Sequence, residues 1–255
     1  MSAPLSRKQE IAGRFSRAAL HYEQHAGLQQ QIAAELLTGL TPAGVVLDAG
    51  CGTGRESLLL AGQAAVERVV ALDLSSEMLA CVPPHPRVQT LQGDVEALPL
   101  PAAGIDQVFS NFALQWCSSR EQAAAELARV LKPGGPLAFS VPGPGSLAAL
   151  VSAKVLAVNH FAGESDWAMA LMSNGFSDCE FFQGSFAMHF ATPRELLLAL
   201  KQIGANTADV PREAHLHGRG WWQRVSAALE SMREPEGIPL RYEVLFVRAR
   251  RDGDE

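Results

Sequence analysis

Cysteine is scarce in this sequence: four thiols in 255 residues, Cys51, Cys81, Cys117 and Cys179, with no CxxC pair among them. That count and spacing exclude a disulfide scaffold and a structural zinc site, and they fit a reducing, cytoplasmic compartment. Long hydrophobic runs are missing too. No charge-free apolar stretch reaches the roughly 20 residues that a bilayer-spanning helix needs, and Met1 to Glu10 carries charge without a signal-peptide core, so no membrane partner is expected. There is no surplus of positive charge: 21 Lys and Arg stand against 27 Asp and Glu, a formal net charge of −6. Nothing pulls the chain as a whole toward nucleic acid, and an acidic partner would have to meet a local basic patch. Internal repeats and low-complexity segments are absent. What remains is ordinary globular composition, 47% hydrophobic and 19% charged, at a length that suits one α/β unit with an appended cap.

Ser6 to Leu40 contains no proline and is rich in Ala, Gln, Leu, Glu and Arg. It reads as one broken helix or two, with Gly13 and Gly27 as weak points. Thr41-Pro42-Ala43-Gly44 ends that pattern, and Val45-Val46-Leu47 opens a continuously apolar run suited to a strand buried on both faces. Helix and strand then alternate: a helix over Glu56 to Ala65, strand Arg68 to Leu72, a short helix from Ser75-Ser76-Glu77, strands Val88 to Leu91 and Ile105 to Phe109. A long helix capped at Ser118-Ser119 runs through Leu131 to the Lys132-Pro133-Gly134-Gly135 stop, before strand Leu137 to Val141. Such alternation predicts a Rossmann-like α/β fold with a mostly parallel sheet and helices on both faces. Beyond Pro142-Gly143-Pro144-Gly145 the pattern loosens into helices at Leu147 to Val158, Pro193 to Ile203 and Gly220 to Leu229, with strands at Phe181 to Phe190 and Arg241 to Arg248. The expected organisation is a helical lid over 1–44, a core over 45–143, and cap helices with sheet-completing strands over 144–255.

The sharpest motif is Val46-Leu47-Asp48-Ala49-Gly50-Cys51-Gly52-Thr53-Gly54, an acid near the end of a strand followed by glycines at alternate positions before a helix. Glycines admit a ligand close to the backbone and tolerate positive φ, and ligands of open α/β sheets bind at this carboxyl edge. The spacing is G-x-G-x-G, not the G-x-G-x-x-G that cradles a pyrophosphate. Asp73 ends the second strand, where it can take both hydroxyls of a ribose as charge-assisted hydrogen bonds of roughly 1.5–3 kcal/mol each. Asp94 ends the third, placed to accept from an adenine amino group while Leu74 and Val95 pack on the ring. Asn111 completes the rim after the fourth. Each is as easily a strand-end cap when taken alone; four in sheet order favour a cofactor site. His21 and His25 have i, i+4 spacing without the metalloprotease order, and His215-Leu216-His217 has only Glu213 nearby, so no metal is expected. Gly145-Ser146 lacks the glycine of a nucleophile elbow.

The segments Asp48 to Gly54, Leu72-Asp73-Leu74-Ser75, Gly93-Asp94-Val95-Glu96 and Arg129 to Gly135 resemble the motifs of class I S-adenosylmethionine-dependent methyltransferases. That resemblance implies S-adenosyl-L-methionine as cofactor, and a seven-stranded sheet whose last strand, Arg241 to Arg248, runs antiparallel. A narrower likeness spans nearly the whole chain. Phe15 to Ala19, His21 to Ala26, Ser110 to Cys117, Gly145-Ser146-Leu147 and Leu200 to Asn206 are similar to the malonyl-acyl-carrier-protein O-methyltransferase family of biotin synthesis. One departure is the segment before Val158-Asn159-His160-Phe161, which lacks that family's tryptophan and acidic residue.

The narrower resemblance implies methyl transfer to the free carboxylate of a malonyl thioester on acyl carrier protein. A carboxylate is already ionised at neutral pH, so no acid or base residue is expected and the task is alignment and exclusion of water. Tyr22 and His25 on one helical face, Gln115 and Trp116 after the fourth strand, and Lys201 are the expected substrate contacts. Arg7, Arg14 and Arg17, or Arg212, Arg219 and Arg224, would meet an acidic carrier protein. Rival readings are a methyltransferase for a quinone or free carboxylic acid, a nicotinamide-dependent oxidoreductase, and a scaffold without turnover.

Overall fold

The computed structural model describes residues 6–152, 154–155, 161–202 and 219–253, leaving aside the side chains of Gln24, His25, Lys201, Gln202 and Arg219. The chain opens with α1 (Arg7–Ala18), a 3-10 turn over Ala19–His21, α2 (Tyr22–His25) and α3 (Gly27–Leu37). Ser6 caps α1 by accepting from Gln9 N, and the Gln9 side chain returns the bond to Ser6 N. Gly13 lies inside α1 without breaking it, whereas Gly27 opens α3.

Next come β1 (Gly44–Ala49), α4 (Arg55–Ala61), β2 (Val66–Asp73), α5 (Ser76–Ala80), β3 (Val88–Gln92), β4 (Gln107–Asn111), a 3-10 turn over Leu114–Trp116, α6 (Arg120–Val130) and β5 (Pro136–Pro142). The chain continues through α7 (Ala148–Ser152), α8 (Glu164–Met172), β6 (Phe176–Phe190), α9 (Pro193–Gln202), α10 (Arg219–Glu230) and β7 (Ile238–Arg251). One seven-stranded sheet has the order β3-β2-β1-β4-β5-β7-β6. Its first five members are parallel, while β7 runs antiparallel to both β5 and β6.

Neighbouring residues of the central strands enter opposite cores, as pleating demands. Leu47, Val108 and Leu137 join one cluster with Leu127 of α6 and Leu171 of α8. Val46, Phe109 and Ala138 join the other with Leu28 and Ile32 of α3. A strand clothed on both sides has no polar alternation, which is why these strands read as unbroken apolar runs.

Three differences from the sequence expectations have physical causes. The fourth strand is Gln107–Asn111, not Ile105 to Phe109; Ile105 makes only an isolated bridge to Leu131. Helix α8 was not anticipated: its apolar positions bury Trp167, Ala170 and Leu171, but Met169 and Met172 are exposed on the opposite side and blur the amphipathic signal. Strand β6 begins at Phe176, not Phe181, because it is an edge strand whose first half is largely exposed and bulged between Ser177 and Glu180. No helix among the described residues is long and apolar enough to cross a membrane.

Candidate active site

Parallel strands end on one edge, so Asp73, Asn111 and the β1 glycine turn converge there from segments far apart in sequence. Gly50, Gly52 and Gly54 all have positive φ, at 81°, 55° and 81°. The first has no room for a side chain: a Cβ on Gly50 would sit 2.2 Å from Ala113 Cβ. Above the turn lies a cavity of about 790 Å³, counting its open mouth, whose lining includes Gly50, Gly52, Asp73, Leu74, Asp94, Val95 and Asn111. Asp73 is fixed by backbone donors, Gly52 N at 2.9 Å to Oδ2 and Ser75 N at 2.8 Å to Oδ1. Burial pushes its carboxyl above the ordinary range, and the backbone N–H groups of Ser75, Gly52 and Leu74 pull it back.

Two residues expected on the cofactor stand behind this cavity instead. Asp48 is only 1% exposed and accepts from Ser57 Oγ at 2.6 Å, beneath the turn. Its pKa is pushed up to about 7, chiefly by burial, against the Ser57 hydrogen bond. Gly54 caps α4 and is packed so that a Cβ would meet Val82 Cγ1 at 2.6 Å. Both shape the turn; neither lines the cavity.

The N-terminal helices flank the mouth. Lys8 Nζ lies 2.5 Å from Asp94 Oδ2 and 2.8 Å from Glu96 Oε2. Asp94 Oδ1 also accepts Glu96 N at 2.9 Å, so a ligand amino group must share this carboxylate. Ser16 Oγ donates to Glu77 Oε2 at 2.7 Å and lies 3.0 Å from Ser75 Oγ, pinning the other end of α1 to α5. Thr53 Oγ1 donates to Glu23 Oε1, tying α2 to the glycine turn. Phe15 meets Trp116 edge to face at 5.4 Å and Tyr22 at 6.5 Å. Lys8, Phe15 and Glu96 went unremarked as site residues. Phe15 stands in a motif of the narrower resemblance and Glu96 beside Asp94, whereas nothing in the sequence marks Lys8.

A second, shallow cavity of about 430 Å³, counting the open space at its mouth, adjoins the first through Phe15, Tyr22, Phe112 and Trp116 and adds Gln29, Gln115 and Tyr242. Every lining residue described is uncharged. Burial raises the Tyr22 and Tyr242 hydroxyls well above the usual range, so both remain donors at neutral pH. Cys51 and Cys117 at this edge are kept as thiols by burial, Cys117 pushed up to about 12. Asn111 is used locally, donating to Gln29 O at 3.0 Å and accepting from Ser140 Oγ at 2.7 Å.

The side chains of His25, Lys201 and Arg219 lie outside the described residues, as do Arg212, Glu213, His215 and His217. Ser146 is structural: its hydroxyl donates to Glu243 O at 2.8 Å and accepts Glu243 N at 3.0 Å, pinning the chain to β7. His189, Glu234 and Glu236 have ligand atoms close together at the β6–β7 end, where Arg241 Nη2 already pairs with Glu234 at 2.9 Å.

This sheet order, with a glycine-turn cavity at its parallel edge, defines the class I methyltransferase fold. A family model described as a methyltransferase domain matches residues 47–139. Among solved structures, a putative methyltransferase of Bacillus halodurans aligns with TM-score 0.59 at 21% identity, covering 87% of this chain and 99% of that one. The [4+2]-cyclase SpnF aligns at 0.61 and 18% identity, covering 100% and 99%. The fold alone therefore does not name a reaction. A malonyl-acyl-carrier-protein O-methyltransferase of Herminiimonas arsenicoxydans is 39% identical over 251 residues, covering 95% of each chain. Another of Methylovorus is 37% identical, covering 95% of this chain and 88% of its own. The chain belongs to the malonyl-acyl-carrier-protein O-methyltransferase family.

Proposed function

We infer that this chain transfers the methyl group of S-adenosyl-L-methionine to the free carboxylate of a malonyl thioester carried by acyl carrier protein, giving the methyl ester. Its near-full-length likeness to that family carries the reading, and the cavities fit it. Gly50 and Gly52 leave the turn bare for close approach; Asp73 suits ribose hydroxyls; Leu74 and Val95 suit the faces of adenine, with Asp94 at its edge. When bound, the cofactor supplies an electrophilic methyl group on a sulfonium cation.

The chain's own groups then have to seat the acceptor. A malonate carboxylate is ionised at neutral pH and needs no base. The cavity beside Tyr22 offers hydroxyl and indole donors from Tyr22, Tyr242 and Trp116 but no cation among its described lining. Neutral donors orient a carboxylate without quenching its charge, which leaves the oxygen nucleophilic in a site closed to water. α1 and α2 act as the lid over 1–44, the core spans 45–143, and the remainder completes the sheet and caps the acceptor side. Four unpaired cysteines suit a cytoplasmic setting, and a net charge of −6 gives no general attraction to nucleic acid or membrane.

Mass spectrometry of malonyl-acyl carrier protein after incubation with the protein and S-adenosylmethionine tests the reading, with acetyl-carrier protein as control. A gain of one methyl on the malonyl form alone is expected. No gain, with S-adenosylmethionine still bound, would move the assignment to another acceptor.

A further inference from the structure

Two carboxylates meet one ammonium at the Asp94 end of the first cavity, and they are held differently. Glu96 is buried, and its oxygens accept Ser118 N at 2.9 Å and Ser119 N at 2.8 Å at the start of α6. Backbone donors on both oxygens fix this carboxylate and leave it no freedom to follow a ligand. Asp94 is more open, with 27% of its side chain exposed, and it lines the cavity. Its Oδ1 accepts Glu96 N at 2.9 Å, whereas the partner of Oδ2 among the described residues is Lys8 Nζ, at 2.5 Å. The same ammonium lies 2.8 Å from Glu96 Oε2, and Lys8 lines the cavity with Asp94.

Lys8 therefore stands between an anchored carboxylate and a ligand-facing one. Without its charge, Asp94 and Glu96 would face each other with no cation between them, and repulsion would favour rotation of the freer Asp94 toward water. With it, Oδ2 is kept at the cavity. A carboxylate oxygen has two lone pairs, so Oδ2 can accept from Lys8 and from a ligand N–H together.

We propose that Lys8 is a positioning residue for the cofactor: it carries the fixed placement of Glu96 across to Asp94 and so sets the selection of a 6-amino purine over a 6-oxo purine. The proposal rests on the reading above that Asp94 stands at the edge of adenine, and extends it to a residue of α1 that acts through Asp94. An amino group at C6 donates to the carboxylate, whereas a carbonyl there turns lone pairs toward it. The more firmly Asp94 is held, the further apart the two bases are in affinity. The pair is partly exposed, at 33% for the Lys8 side chain, so its effect is several-fold and not absolute.

Calorimetry tests this with S-adenosyl-L-homocysteine and S-inosyl-L-homocysteine, whose base is 6-oxo, on the parent, Lys8→Met and Lys8→Arg. The parent is expected to prefer the adenosyl ligand by about tenfold or more. Lys8→Met should lose about three- to fivefold of that preference, and Lys8→Arg should keep most of it. The readout is a ratio of two ligands on one protein, so a general loosening of α1, which weakens both alike, does not move it. A preference in Lys8→Met within about 1.5-fold of the parent's overturns the proposal. A larger preference in Lys8→Met overturns it as well, since Lys8 would then be a donor to the 6-oxo base itself. An equal loss in Lys8→Arg also overturns it, because charge would not be what holds Asp94. A parent that binds both ligands alike overturns the placing of Asp94 at adenine and this proposal with it, whereas a discriminating parent beside an unchanged Lys8→Met overturns this proposal alone.

Discussion

Gly50 shows how much of the site one residue decides. Its φ of 81° is a conformation that costs an L side chain about 1–2 kcal/mol, and its missing Cβ leaves the space that Ala113 fills. Gly50→Ala is expected to destabilise the fold by roughly 2–4 kcal/mol, lowering Tm by about 5–15 °C, and to abolish measurable binding of S-adenosylmethionine by calorimetry. Adding Ala113→Gly removes the collision but not the backbone strain, so the double variant should regain part of the lost Tm. A double variant no more stable than the single one would show that the contact with Ala113 is not the cause. Phe112 stores strain at the same place, with φ at 52°, and is held by Ser140 O at 3.0 Å and Ser140 Oγ at 3.1 Å from its N–H.

Helix α1 borders the cavity and is tied to it by few bonds. Lys8 pairs with the carboxylates of Asp94 and Glu96, and Glu96 also accepts Ser118 N at 2.9 Å and Ser119 N at 2.8 Å. Lys8 therefore couples the lid to the start of α6 as well as to Asp94. Partly exposed pairs of this kind contribute about 0.5–1 kcal/mol, so Lys8→Met should speed amide hydrogen exchange across Arg7–Ala18 about two- to fivefold while leaving β1 and β2 protected. Added salt should narrow the difference, because screening weakens the parent's pairs. Unchanged exchange in α1 would mean that its other contacts, the Ser16 bonds to α5 and the packing of Phe15, hold the helix without Lys8.

The same element marks where sequence reading stopped. The places of Asp73, Leu74 and Asn111 were legible because β2 and β4 read as apolar, buried strands, and parallel strands deliver their ends to one edge; Asp94 and Val95 follow β3, an edge strand of mixed and partly exposed residues, and were placed only by the alternation of strand and helix. Lys8 was not legible. Its partner Asp94 is 86 positions away, and a helix shows its polar face to solvent and to a carboxylate with the same residues. For Asp48 the sequence leaves two roles open, since an acid near a strand end is equally suited to binding and to bracing; its burial and its bond to Ser57 place it beneath the turn. Helix α8 and the first half of β6 were hidden for a related reason, since each buries one side only weakly.

At the scale of the whole molecule, the site gathers acids whose ionisation burial disfavours. Asp48, Glu56 and Asp73 are all raised, first by burial, and Asp48 further by the nearby charges of Glu56 and Asp73. In the unfolded chain Asp48 ionises near its ordinary 3.8, whereas in the folded protein it keeps its proton to about 7. Between these values the folded state binds more protons, so this group's contribution to stability falls as pH rises from about 4 to about 7 and is level above that. Without ligand, Tm should therefore decline from pH 5 to pH 8, and Asp48→Asn should flatten the decline, with a gain on the order of 3 kcal/mol at pH 8. A cationic ligand reverses the balance by favouring the ionised carboxylates. S-adenosylmethionine should bind more tightly as pH rises toward 7 and release protons as it does so, measurable by calorimetry in two buffers of different ionisation enthalpy. S-adenosylhomocysteine lacks the sulfonium charge and should show a smaller dependence; equal proton release by the two ligands would mean that the buried acids do not sense the sulfonium, and that their raised values serve only the packing of the glycine turn.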